Sequence, residues 1–199
     1  NLDETLTPEQ RAANMEASKP RLNPAQVVQN SPLIIILVLT FITQFSLGLL
    51  QATFALYGEA VLFADYSESV ANLGIGLMLA SVGIGQVFTQ LVLLRRALER
   101  FGEGWLVVGG NALRALSMFT LGVVLVPWLG AISLFLFAVG SGLMLPSLQS
   151  LSTNTVGDHL RGSVLGVFQS AISLSVIFST ALGGSLFAVN PRSPFLLAT

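Results

Sequence analysis

Four stretches of this chain carry no charged side chain: residues 22–58, 69–94, 115–157 and 162–191. Their lengths decide the solvent. A helix needs about 20 apolar residues to cross the hydrocarbon core of a bilayer, and each stretch can supply at least one. Only 10% of the 199 residues are charged and 53% are hydrophobic, whereas soluble domains carry about 25% charged residues. Lipid is therefore the expected surrounding. The runs do not alternate polar and apolar residues, which disfavours a β-barrel. The pattern predicts an all-α integral membrane protein with helices over residues 33–57, 70–94, 105–126, 129–151 and 162–188, the longest run being divided at Pro127, Trp128 and Gly130. After a turn at Pro191, the residues Ser193, Pro194, Phe195, Leu196 and Leu197 read as the start of a sixth helix, cut off at Thr199.

Several function classes lose support on composition. A net charge of -1 with no large basic cluster gives no footprint for nucleic acid. With no cysteine there is neither a disulfide framework nor a thiolate metal site. The single histidine, His159, falls in a loop, so a histidine-dependent protease, a zinc site or a haem carrier within the spans is disfavoured, and Ser141 has no base partner. No enzyme, cofactor or metal is expected.

Residues 1–31 are polar and read as a linker, with Thr7, Pro8, Glu9 and Gln10 as a capping box for a short surface helix ending before Pro20. Asn1 opens no basic-then-apolar leader, so no signal peptide is visible, and the true start is expected upstream. Basic residues sort by loop. Arg11, Lys19 and Arg21 precede the first span, Arg95, Arg96 and Arg100 follow the second, and Arg161 follows the fourth; only Arg192 falls on the other side, which carries Glu59, Asp65 and Glu68. This bias places the N-terminus and both basic loops in the cytoplasm.

Three segments carry a family resemblance. The loop Arg95-Arg96-Ala97-Leu98-Glu99-Arg100-Phe101-Gly102 is similar to a pattern of Gly, three residues, Asp-Arg, one residue and Gly, with Arg95 in place of the glycine and Glu99 in place of the aspartate. Gly140-Ser141-Gly142-Leu143-Met144-Leu145-Pro146-Ser147 resembles the end of a fourth helix, and Arg161-Gly162 with Gly166, Gly183 and Gly184 resembles a fifth. In order and sidedness they resemble the C-terminal half of a major facilitator superfamily transporter of the multidrug-efflux kind. One departure is Ser179-Thr180, where the multidrug branch often reads Gly-Pro before its paired glycines.

The resemblance implies half of a twelve-helix bundle in the cell membrane: a central cytoplasmic loop over residues 1–31, then residues 32–199 with five complete spans and the start of a sixth. Its partners would be the bilayer, a small-molecule substrate and an N-terminal half. Its implied work is export of small, partly hydrophobic molecules by alternating access, coupled to protons through a carboxylate in the other half, since no Asp or Glu falls inside the five spans. An importer of another solute, or a multi-span scaffold that transports nothing, is the alternative.

In such halves the first and fourth helices line the cavity. On the first, Gln44 and Gln51 share a face two turns apart, with Phe41, Gly48 and Phe54 close by. They suit a large apolar ligand held by a few hydrogen bonds, with Gly48 leaving room for it; otherwise the glutamines bond neighbouring helices and Gly48 is a packing position. On the fourth, Ser141 and Gln149 are the polar candidates, and Pro146 is either a gate or, as favoured here, a static kink. Gly74, Gly76, Gly83 and Gly85 read as close-packing positions. Glu99, Arg100, Gly102, Arg161 and Gly162 belong to the loop and hinge motifs. Gly162 and Gly166 form a small face for a helix of the other half. Arg114 is the one charge deep within a span; it is expected to snorkel toward the cytoplasmic end past Asn111, with a substrate or coupling role as the rival reading.

Overall fold

The computed structural model describes residues 24–199, and among them there is no strand. The reading of residues 1–23, with its capping box and three basic residues, lies outside the described residues. A short helix α1 (Pro24–Gln29) leads through Asn30 into α2 (Ser31–Tyr57). Asn30 ties this junction to the bundle. Its side-chain oxygen accepts from the Leu33 N–H at 3.1 Å, capping α2, while its side-chain nitrogen donates to the Thr155 carbonyl at 3.0 Å across the bundle. Pro32 falls in the first turn, where a missing N–H does no harm.

Polar residues persist inside the apolar helices because their hydroxyls bond back onto their own backbone. Thr40 donates to Ile36 and Thr53 to Leu49, each at 2.7 Å. After α2 the helix widens into a π turn over Gly58–Leu62. Helix α3 (Glu68–Phe88) ends in a second π turn, Thr89–Leu93, and continues without a gap into α4 (Leu94–Val123). Extended backbone at Val124–Val126 then separates α4 from α5 (Pro127–Asn154), so the division expected at Pro127 is where the chain breaks. A 3-10 turn over Asp158–Leu160 starts α6 (Arg161–Val189), and α7 (Ser193–Leu197) follows.

Four helical stretches are long and apolar enough to cross a membrane: Ser31–Leu62, Glu68–Val123, Pro127–Asn154 and Asp158–Val189. The second has 56 residues, yet it is not one rod. Gly102 has φ 77 and ψ 164, outside the helical region. Residues 89 and 110 would lie about 30 Å apart along a straight helix. Instead Thr89 packs on Gly142 and Gly110 packs on Gly140, neighbouring points of α5. The chain therefore folds back at Gly102, and α3 and α4 lie on two sides of α5.

Glycines set the closest approaches. A methyl group on Gly110 would stand 2.7 Å from the Gly140 carbonyl oxygen and 2.9 Å from Met144 Cβ, so α4 and α5 touch backbone to backbone. Gly183 brings α6 onto Ala52 and Thr53 of α2. Two apolar clusters fill the interior. One, toward α7, includes Phe54, Tyr57, Met118, Phe137 and Phe195; the other, toward the Asn30 end, includes Val107, Met144, Leu148 and Phe168.

Candidate functional site

Arg114 occupies the gap between the two clusters. Its residue is 3% exposed, so the guanidinium does not reach the surface at the helix end as snorkelling requires. The guanidinium instead passes between α2 and α5. It donates to the Thr43 carbonyl of α2, lies 4.7 Å above the centre of the Phe137 ring, and approaches Met144 Sδ at 3.5 Å. Phe137 and Met144 are seven apart on α5, two turns along one face, and Gly140 between them leaves space for the arginine stem, whose Cγ would lie 2.9 Å from a methyl there. The snorkelling expectation is thus corrected. Close packing at Gly110 and Gly140 draws the stem under α5, where the face of an aromatic ring and a carbonyl oxygen take the charge.

The arrangement is short of partners. Arg114 Nε and Ser141 Oγ are both buried without a hydrogen bond among the described residues. Ion pairs there join only Arg95 to Glu99 and Arg161 to Asp158, both on the surface, so none reaches Arg114. Between α2, α4 and α7 a cavity of about 320 Å³ has Thr43, Ser46, Asn111, Arg114 and Thr199 among its lining residues. Among the described residues no cluster of three metal-ligating side chains occurs.

The remaining expected site residues separate by location. Gln44 is buried within α2, Phe41 is half-buried beside Phe45 and Phe178, and Gln51 and Gln149 are exposed. Phe54 is 0% exposed in the core cluster. A ring with no accessible atom cannot touch a ligand in this conformation, so Phe54 belongs to the wall behind the others. Gly48 leaves no room for a ligand: a methyl there would collide with the Ser179 side chain of α6. Its role is the close packing of α2 on α6, and Ser179, the departure from the branch pattern, is the residue it accommodates. Gly74 meets the Phe63 ring and Gly85 meets Ala138, as packing positions do, whereas Gly76 and Gly83 face open space.

Pro146 lies inside α5 without interrupting it. In the loop motif, Arg95 and Glu99 pair at 3.0 Å, Arg100 stands 5.6 Å from the centre of the Phe101 ring, and Gly102 supplies the positive φ of the fold-back. Glu103, just beyond, accepts a hydrogen bond from Ser150 near the end of α5. Arg161 pairs with Asp158, three residues before it, at 3.0 Å. Gly162 and Gly166 are exposed and have nothing within 4 Å of an added methyl.

Sequence reasoning missed Thr43, Phe137, Met144 and Tyr57. The Tyr57 hydroxyl is 2.7 Å from the Leu121 carbonyl oxygen and 3.0 Å from that of Val124, closing the end of α4. One face of α5 hinted at Phe137 and Met144, which flank Gly140 at helical spacing; nothing in the sequence marked Thr43.

A sequence profile of the Major Facilitator Superfamily matches residues 33–199, nearly all of the described chain. The chain belongs to the major facilitator superfamily. It is a multi-pass membrane protein, as other members of that superfamily are. It is 30% identical over 154 residues to the magnetosome protein MamH of Paramagnetospirillum magneticum, covering 75% of this chain and 35% of the relative. It is 29% identical over 116 residues to the class C tetracycline resistance protein of Escherichia coli, covering 58% and 29%, and 27% identical over 165 residues to multidrug resistance protein 2 of Bacillus subtilis, covering 81% and 38%. The chain thus spans about a third of the length of the curated relatives it matches.

Proposed function

We propose that this chain is the C-terminal half of a secondary transporter that exports small, partly hydrophobic molecules by alternating access, with protons as the coupling ion. In this reading residues 1–31 are the cytoplasmic loop between halves, and residues 32–199 form five spans plus the start of a sixth. α3 and α4 are then separate spans that meet at Gly102. The protein then lies in the cell membrane, the plasma or inner membrane, with the N-terminus of this chain facing the cytoplasm. The observation that carries the reading is the superfamily match over residues 33–199 in company with relatives named for tetracycline and multidrug resistance.

The substrate surface is assigned to α2 and α5. Gln51 and Gln149 offer exposed amides, Gln44 and Ser141 lie deeper, and Phe41 adds an apolar face. Few polar groups in an apolar wall orient a ligand without demanding that it shed much water. Cells making the full-length protein, with Gln44 and Gln51 each changed to alanine, test the assignment by drug accumulation. Loss of one hydrogen bond of roughly 1 kcal/mol raises the half-saturating concentration about fivefold in each variant. Unchanged export in both would sink this cavity.

A further inference from the structure

We infer that Arg114 sets the charge preference of the substrate, favouring anionic and neutral molecules over organic cations. The inference rests on the transporter reading and adds a substrate class to it. Its ground is the placement of one permanent charge. The guanidinium stays protonated at any physiological pH. It sits at the seam of α2 and α5, in contact with Thr43 on one and Phe137 and Met144 on the other, between the two helices to which the substrate surface is assigned.

No carboxylate of the described chain is placed to cancel it. Glu59, Asp65 and Glu68 lie where α2 ends and α3 begins, and Glu99, Glu103 and Asp158 lie at the opposite ends of the helices. The partners that Arg114 does have, a carbonyl oxygen, a thioether and a ring face, carry no net charge. Its Nε–H is left without an acceptor, an unmet donor on the one buried charge among the described residues. In a water-poor interior such a field is weakly screened, and a cation brought near it is repelled while an anion is attracted.

Two xanthene dyes of one core test this, fluorescein as the anion and rhodamine 123 as the cation, with the full-length protein in detergent for binding and in liposomes for transport. Wild type is expected to bind fluorescein more tightly than rhodamine 123. Arg114→Gln should lower that preference by about a hundredfold or more, because one charge about 10 Å away at an effective dielectric constant of about 20 is worth on the order of tenfold per unit of ligand charge and acts oppositely on the two dyes; Arg114→Lys should keep it. A packing role alone would change stability and leave the ratio of the two dyes where it was. Tighter binding of rhodamine 123 by wild type overturns the inference even when Arg114→Gln does not fold, and so does an unaltered ratio in a folded Arg114→Gln. Preferential binding of fluorescein without movement of either dye sustains the charge preference and removes the transporter reading instead.

Discussion

At the scale of single residues, glycine positions that look alike in the sequence do different work. Gly48 and Gly83 both sit mid-helix in apolar surroundings, but Gly48 lies against Ser179 and Gly83 faces open space. Even the Cβ of Ser179 is within 2.8 Å of a methyl on Gly48, so rotating the hydroxyl away does not relieve the clash and the helices must part. Gly48→Ala is expected to destabilise by about 1–3 kcal/mol through overpacking. Gly83→Ala should stay within about 0.5 kcal/mol of wild type or better it, since alanine favours helix. Thermal melts followed by fluorescence-detected size exclusion compare the two; equal midpoints would show that α2 and α6 are not in this contact. The sequence could not separate these positions, because what a glycine faces depends on the neighbouring helix. Arg114 illustrates the same limit. Its depth was legible from its place in the run, while its direction was set by Gly140, which lies 26 residues further along the chain.

At the scale of elements the sequence was far more informative. Spans expected at 33–57, 129–151 and 162–188 appear as Ser31–Tyr57, Pro127–Asn154 and Arg161–Val189. Charge-free runs and prolines mark these limits directly, because a polar end and a missing N–H act locally. The α3–α4 connection was the exception. A charged loop was expected between residues 94 and 105, yet helical hydrogen bonding runs through it except at Gly102. The reversal there depends on a positive φ that an L side chain resists. Gly102→Ala is expected to lose about 1–2 kcal/mol from backbone strain alone. Its melting midpoint should fall although a methyl at that position touches nothing. A midpoint equal to wild type would mean that the turn is made elsewhere.

At the scale of the whole molecule, burial is uneven. Half of the most apolar window is enclosed in the stretches containing α2 and α5, against 17% in those containing α3–α4 and α6. The first pair is the centre of the assembly and the others present open faces. Gly162 and Gly166 lie on such a face of α6, together with exposed Leu174 and Ile177. If the other half of the transporter closes there, Gly166→Leu in the full-length protein inserts normally and exports poorly. Full export at normal membrane levels would rule out that contact. The superfamily could be read from spaced glycines and sided charges. Which face awaits a partner could not, since every face of α6 is similarly apolar in sequence.

The two wide turns, at Gly58–Leu62 and Thr89–Leu93, have a consequence for azimuth. Each stores about one residue more than an ordinary helical turn holds. Removing that surplus from Thr89–Leu93 would rotate all that follows by about 100° around the axis, one residue's share of a turn. Arg95, Arg96 and Glu99 would then point toward a different quadrant without any change in their identity or spacing. The bearing of the basic loop is therefore encoded one turn upstream of it, in a segment of Thr89, Gln90, Leu91, Val92 and Leu93 that contains no charge.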